Sequence, residues 1–232
     1  MCGIAGIVGK LNESNRSALS RMEQAIAHRG PDSTGFWTSA PDGQNNGCLF
    51  AHRRLSILDL SSAADQPMVD PASGQCIIFN GEIYNFRELR RQLQAEGEHF
   101  DSTGDTAVML RLLARKGPAA LRQLRGMFAF ALWDDKSRQL TLARDPLGIK
   151  PLYVAQNPDP AGDWSLLFAS EVRSLLASNL IERKLDPAAV SSVVWNGFVP
   201  GPHTIVKGVR SLFPGEVRIF ASGREASSEI FW

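Results

Sequence analysis

The sequence predicts a layered α+β fold, in which antiparallel β-sheet is covered by helices. Short apolar runs alternate with segments of helical spacing through the first half of the chain, and a β-meander follows in the second half. Neither an internal repeat nor a low-complexity linker divides the 232 residues, so residues 1–232 are read as one domain. With 44% hydrophobic and 21% charged residues, the chain can bury a sizeable core.

The elements follow in order. Residues 4–8, Ile-Ala-Gly-Ile-Val, form an apolar strand almost at the N-terminus. Residues 14–29 read as an amphipathic helix, with Leu19, Met22 and Ile26 on one face and Gly30-Pro31 as terminator. A polar loop at 39–47 precedes a strand at 48–52. The strand at 76–79 runs into Asn80-Gly81, a tight-turn dipeptide. Helical spacing returns at 86–97 and 105–116, and the Arg-rich stretch 87–91 reads as a solvated helix face. Strands at 127–133 and 139–143 with a turn at 134–137 form a hairpin. Residues 152–155 and 166–169 continue the β pattern, and 171–177 is a short helix. Asp186-Pro187 has the cap and first-turn residues of another helix.

Bulk properties exclude several function classes. Lys+Arg 25 against Asp+Glu 24 leaves a net charge of +1, which attracts neither nucleic acid nor an anionic membrane. No stretch approaches the ~18 consecutive apolar residues of a membrane helix, and no basic region precedes the first apolar run as in a signal peptide. Cys2, Cys48 and Cys76 are odd in number and widely spaced, which argues against a disulfide framework and a zinc site. His28, His52, His99 and His203 show no metal-ligand spacing either. A reducing cytoplasm fits this cysteine usage.

Cys2 stands directly behind the initiator methionine. A methionine followed by a small side chain is normally removed, which makes Cys2 the true N-terminus. One residue then carries a thiol, ordinarily near ~8.5, and an α-amine, ordinarily near ~7.7–8.0. A cysteine nucleophile needs a base to take its proton, and an N-terminal one has its own amine for this. The bland alternative is a small hydrophobe in a buried strand.

Eight further strings follow the initial Met-Cys-Gly-Ile-Ala-Gly-Ile-Val-Gly. They begin at His28-Arg29-Gly30-Pro31-Asp32, Arg54-Leu55-Ser56-Ile57, Phe79-Asn80-Gly81-Glu82-Ile83-Tyr84-Asn85 and Gly104-Asp105-Thr106. They continue through Gly126-Met127-Phe128-Ala129-Phe130, Arg144-Asp145-Pro146-Leu147-Gly148-Ile149-Lys150-Pro151-Leu152-Tyr153, Phe168-Ala169-Ser170-Glu171-Val172 and Gly197-Phe198-Val199-Pro200-Gly201-Pro202. The ordered series resembles, essentially end to end, the N-terminal glutaminase domain of glutamine-hydrolysing asparagine synthetases, which are class II (N-terminal-nucleophile) glutamine amidotransferases. The resemblance implies a four-layer αββα sandwich of antiparallel sheets. It also implies that Cys2 attacks the γ-amide of L-glutamine and forms a γ-glutamyl thioester.

The resemblance further assigns the oxyanion donors to the Asn80 side-chain amide and the Gly81 backbone N–H, with glycine permitting close backbone approach. A plain Asn-Gly turn is the alternative. Arg54 takes the α-carboxylate through two parallel hydrogen bonds, and backbone groups of Leu55, Ser56, Ile57 and Leu58 line the pocket. Asp105 takes the α-ammonium; capping the helix that follows it is a compatible second role. Glu82 is a weaker helper. His28 shapes a loop near the site, and Asp145 and Lys150 are structural. Where the family often has Ser-Asp-Thr-Glu-Val, this chain has Ala107 in place of the glutamate, which touches fine substrate positioning.

No Ser-Gly-Gly pyrophosphate loop and no Gly-x-x-x-x-Gly-Lys loop occurs in the chain. ATP and Mg, and the amidation of a carboxylate such as aspartate, are therefore expected only in a C-terminal synthetase domain outside it. The expected partners are glutamine and that domain, with a homodimer among those the resemblance allows. A different acceptor, such as a sugar, a secondary metabolite or a peptide, is the nearest alternative. A catalytically idle interaction module of the same fold is another, and a self-processing or peptide-cleaving protein suits the Arg54/Asp105 pair less well.

Overall fold

The structure is a computed structural model describing residues 1–232. The elements run β1 (Gly3–Lys10), α1 (Glu13–Ala25), β2 (Ser33–Thr38), β3 (Asn46–Arg54), β4 (Met68–Val69), β5 (Cys76–Ile83), α2 (Phe86–Ala95) and α3 (Asp105–Lys116). There follow β6 (Gly126–Asp134), β7 (Gln139–Arg144), β8 (Tyr153–Gln156), β9 (Trp164–Ala169), α4 (Val172–Ala177), α5 (Pro187–Asn196), β10 (Val209–Ser211), β11 (Glu216–Ala221) and β12 (Arg224–Ile230). They form two six-stranded sheets, ordered β10-β8-β9-β1-β3-β2 and β12-β11-β7-β6-β5-β4, with every pairing antiparallel.

Side-chain alternation with period two explains the layers. On β1 the even residues Ile4 and Val8 face β5 and β6 of the second sheet, in a core with Phe50, Ile78, Ala131 and Trp133. The odd residues Ala5 and Ile7 face the other way, onto Leu19 and Met22 of α1 and Leu175 of α4. On β5, Ile78 points inward, while Ile77 and Phe79 pack against Leu89 and Leu93 of α2 and Val108 and Leu112 of α3. Strands with both faces buried need near-continuous apolar sequence, and the central strands have it. The result is the expected four-layer αββα sandwich.

The structure departs from the sequence reading at several points. Asn80-Gly81 is not a turn: β5 runs through it to Ile83, pairing Asn80 with Ala129 and Gly81 with Phe128. The first helix ends at Ala25, and residues Ala27–Arg29 form a separate 3-10 turn. Asp105 does not cap α3: the cap position is Gly104, and Asp105 is the first helical residue. Arg90 is not simply solvated, since its guanidinium donates to the carbonyls of Ser102 and Gly104 at 2.8 and 2.9 Å. Strands β2, β4, β10, β11 and β12 lacked a legible signal; every residue of β12 is exposed, so no apolar alternation marks it. The cap of α5 is as expected, with the Asp186 carboxylate accepting from Ala188 N–H at 2.9 Å.

Candidate functional site

The same alternation that builds the core brings the sequence-predicted residues together where the sheets end. The register Gly3↔Arg53 sets Cys2 beside the end of β3. Cys2 and Arg54 fall on the inward parity of the first sheet, and Asn80 and Glu82 on that of the second. They line one cavity of about 100 Å³ together with Leu55, Ile57, Leu58, Gly81, Asp105 and Thr106. Ser56 is the one predicted residue outside this lining; its N–H donates to Asp32 Oδ2 at 2.7 Å.

Sequence reasoning missed other wall residues: Met1, Ala64, Gln66, Phe79, Gly104, Met127 and Lys150. Lys150 is 3% exposed and its Nζ donates to Met1 Sδ at 2.9 Å, so it is more than a turn residue. Its signal was present in the Gly-Ile-Lys-Pro string, but nothing in a turn-like segment reveals where a long side chain reaches. Asp145 is structural, as expected: its carboxylate accepts from the N–H groups of Phe128, Leu147, Ile149 and Lys150. His28 is held by Glu171 at 2.9 Å and lies outside the cavity lining.

The thiol of Cys2 accepts from Leu55 N–H at 3.4 Å and donates to Leu55 O at 3.7 Å. Burial pushes its pKa up, while the Leu55 N–H, the adjacent α-amine and Arg54 pull it down. Such a thiol is not ionised at rest, so attack requires a base. The α-amine at this end of the chain is held below its ordinary value, first by burial and then by Arg29 and Lys150, which favours its neutral form. With Met1 attached, that amine belongs to Met1 and not to Cys2.

Asn80 is 1% exposed, and its Nδ2 is buried without any hydrogen-bond partner. A buried unsatisfied amide donor is costly, and native structures rarely keep one without a use. Gly81 adds a second free donor. Both backbone groups of Phe128 turn toward Asp145, the carbonyl accepting from its N–H and the N–H donating to its carboxylate Oδ2. Phe128 therefore meets Gly81 as a non-hydrogen-bonded pair, and the Gly81 N–H turns to the outer edge of β5. Along that edge Phe79 N–H goes to Gln66 Oε1 at 2.6 Å and Ile83 N–H to Asp105 Oδ2 at 2.9 Å. No loop carbonyl or side chain accepts the Gly81 N–H between them. Glycine is required here by the neighbouring strand: a Cβ would sit 2.2 Å from Met127 O and 2.7 Å from Phe128 Cα.

Arg54 is 6% exposed, and three acceptors hold it: Ser61 O at 3.0 Å, Asp65 Oδ1 at 2.7 Å, and Asp59 O. A guanidinium has five N–H groups, so two remain for a two-point grip on a carboxylate. Arg53 points elsewhere, to Glu23. Asp105 is 6% exposed, and burial pushes its carboxyl up against the lowering bonds from Ile83 and its own helix N-terminus. Its Oδ2 is engaged by Ile83.

Behind the site His52 is fully buried, with Nε2 against Phe79 O at 3.2 Å and Nδ1 without a partner. Burial, the largest effect, lowers its pKa from 6.5 to about 4. The folded state therefore keeps it neutral where the unfolded chain, near ~6.5, takes up a proton. Its contribution is complete above ~6.5 and is lost as pH falls toward about 4. We expect unfolding free energy to drop by roughly 2–3 kcal/mol from this group between pH 7 and 4.5. Denaturant titrations at the two pH values check it, and His52→Asn should shrink the difference by that amount; equal pH slopes in both proteins remove His52 as the source.

The family model described as "Glutamine amidotransferase domain" matches residues 1–232. The chain is 38% identical over 232 residues to a putative asparagine synthetase [glutamine-hydrolyzing] of Mycobacterium tuberculosis, covering 93% of this chain and 34% of that protein. It is 39% identical over 220 residues to asparagine synthetase [glutamine-hydrolyzing] 1 of Bacillus subtilis, covering 93% and 33%. The chain thus spans about a third of the length of these curated relatives. Among solved structures it resembles glutamine phosphoribosylpyrophosphate amidotransferase from B. subtilis, with a TM-score of 0.70 and 20% identity over 100% of this chain and 49% of that one. This last likeness concerns the fold.

Proposed function

The chain belongs to the glutamine amidotransferase domain family, and from that membership we propose that it hydrolyses free L-glutamine to glutamate and ammonia through a thioester on Cys2. The observation that carries this is the buried, unpartnered Asn80 Nδ2 in the same cavity as the Cys2 thiol. Once Met1 is removed, the Cys2 α-amine takes the thiol proton, directly or through one water, and the thiolate attacks the amide carbon. The oxyanion that forms is met by Asn80 Nδ2–H and Gly81 N–H. Such preorganised donors are worth roughly 2.7–4 kcal/mol each in comparable hydrolases. The protonated amine returns its proton to the departing nitrogen, the C–N bond breaks, and ammonia leaves. Water then attacks the γ-glutamyl thioester, the same amine relays its proton to sulfur, and glutamate is released.

Recognition of the rest of the substrate falls to Arg54, through its two remaining N–H groups, and to Asp105, through its carboxylate. Leu55, Ile57 and Leu58 supply the wall, and Glu82, which lines the same cavity, assists at the amine end. The ammonia serves an ATP-dependent amidation of asparagine-synthetase type, carried by a C-terminal segment outside this chain; the relatives, of which the chain covers about a third, are long enough to hold one. The test joins two measurements on one sample. Intact mass should show Met1 absent, and added glutamine should yield glutamate; a protein that has lost Met1 and releases no glutamate overturns the reading. No helix of the chain is long and apolar enough to cross a membrane.

A further inference from the structure

We propose that Asp59 is a positioning residue that fixes the distance between the two amino-acid grips, Arg54 and Asp105, and so makes the site selective for a ligand carrying both an α-carboxylate and an α-ammonium. The inference rests on the substrate roles given above to Arg54 and Asp105.

Asp59 sits in the loop that follows β3, at φ 49°, a left-handed conformation that Asp and Asn tolerate better than most residues. It makes three separate connections. Its carbonyl accepts from Arg54 Nη2. Its Oδ1 accepts from the N–H and hydroxyl of Ser61 at 3.1 and 2.5 Å, closing the loop whose Ser61 carbonyl also holds Arg54 at 3.0 Å. Its Oδ2 crosses to another segment, accepting from Ser102 Oγ at 2.8 Å and Thr103 N–H at 2.6 Å. Thr103 and Gly104 lead directly into Asp105, the first residue of α3.

One residue thus ties the arginine that meets the carboxylate end of the ligand to the segment presenting the acid that meets its amine end. The far side of the same segment is held by Arg90, which binds the carbonyls of Ser102 and Gly104, so the tether pulls on a fixed point. Every partner of the Asp59 side chain is a donor, and both oxygens are used. The donors from Ser61, Thr103 and Ser102 hold the carboxyl well below the usual carboxylate range. An asparagine keeps the size and the left-handed tolerance. It must still turn an NH2 group toward one pair of donors, so one branch of the tether breaks.

The test is a double-mutant cycle in steady-state glutamine hydrolysis. Asp59→Asn alone should raise KM for glutamine by about tenfold, with kcat changed less than about twofold, because the loss is in ligand grip and not in the oxyanion step. In an Asp105→Asn background, where the amine grip is already impaired, the same substitution should change kcat/KM by less than about twofold. A purely structural residue would multiply through, giving the same factor in both backgrounds. Equal factors, or an unchanged KM in the parent protein, overturn the proposal. Where Asp59→Asn does not fold, Ser102→Ala removes the hydroxyl arm, together with the bond that Oγ accepts from Gly104 N–H at 3.0 Å, and leaves the Thr103 arm in place. It should show a smaller KM rise with the same dependence on Asp105, and the absence of that rise overturns the proposal equally. A parent protein that does not hydrolyse glutamine at all defeats the functional reading instead, so the two failures are distinguishable.

Discussion

Cys2→Ala should lower glutamate release by at least ~10³-fold and abolish any acid-trappable adduct on the protein. The magnitude follows from nucleophile removal in hydrolases that work by covalent intermediates, where single substitutions cost up to about 2 × 10⁶ in kcat. No other thiol can stand in. Cys48 and Cys76 are fully buried between the two sheets, and burial pushes both thiols far above the ordinary range. Alanine preserves the small second residue that permits loss of Met1, and Cys2 is only half-buried at the cavity wall, so folding is not at stake. The measurements are glutamate release and intact mass after rapid acid quench with glutamine. The parent protein should carry one glutamyl group and the variant none. Turnover by Cys2→Ala within tenfold of the parent would exclude the thioester route.

Most of the site was legible because its chemistry sits in contiguous strings. Cys2, Arg54, Asn80-Gly81 and Asp105 each stand in a short segment whose residue types suit the role, and the fold brings all of them to one cavity. What the sequence could not convey was the backbone state of Asn80-Gly81. In isolation the dipeptide is a strong turn signal. Here tertiary context overrides it: β6 pairs through Gly126–Asp134 and draws β5 onward to Ile83. The glycine has a physical reason that the dipeptide alone does not show, since its missing Cβ leaves room for the Met127 carbonyl of the neighbouring strand.

The less legible parts were those whose partners lie far along the chain. Asp59 is an unremarkable loop acid until the fold sets Ser102 and Thr103 against it, 43 and 44 residues away. Lys150 becomes a wall residue only because its buried side chain runs from the turn to Met1, 149 residues earlier. Strand β12 gives no apolar alternation at all; it forms because β11 offers an edge to pair with, in the register Glu216↔Ile230. Patterns of period two and 3.6 report one face of an element against a core. They report neither edges nor side-chain reach.

Asn80→Ala should lower kcat by about 10²–10³-fold with KM within a few-fold of the parent, because the oxyanion exists only near the transition state. The same variant should unfold at the same temperature as the parent or higher. The two halves of this expectation have one cause. Asn80 Nδ2 is buried and has no partner in the resting protein, so the fold carries the desolvation cost of a donor it does not use. Removing that amide removes the cost, and the vacated volume opens onto the cavity Asn80 already lines and not onto packed core. An asparagine kept for structure behaves in the opposite way: its loss breaks bonds, lowers the melting temperature, and leaves the chemistry of surviving molecules intact. Asn80→Asp sharpens the distinction. It preserves shape but replaces the donor with a charge that repels the developing oxyanion, so its kcat should fall at least as far as that of Asn80→Ala. Thermal melts read beside kcat for the two variants separate the cases, and a variant that loses stability while holding kcat assigns Asn80 to the scaffold.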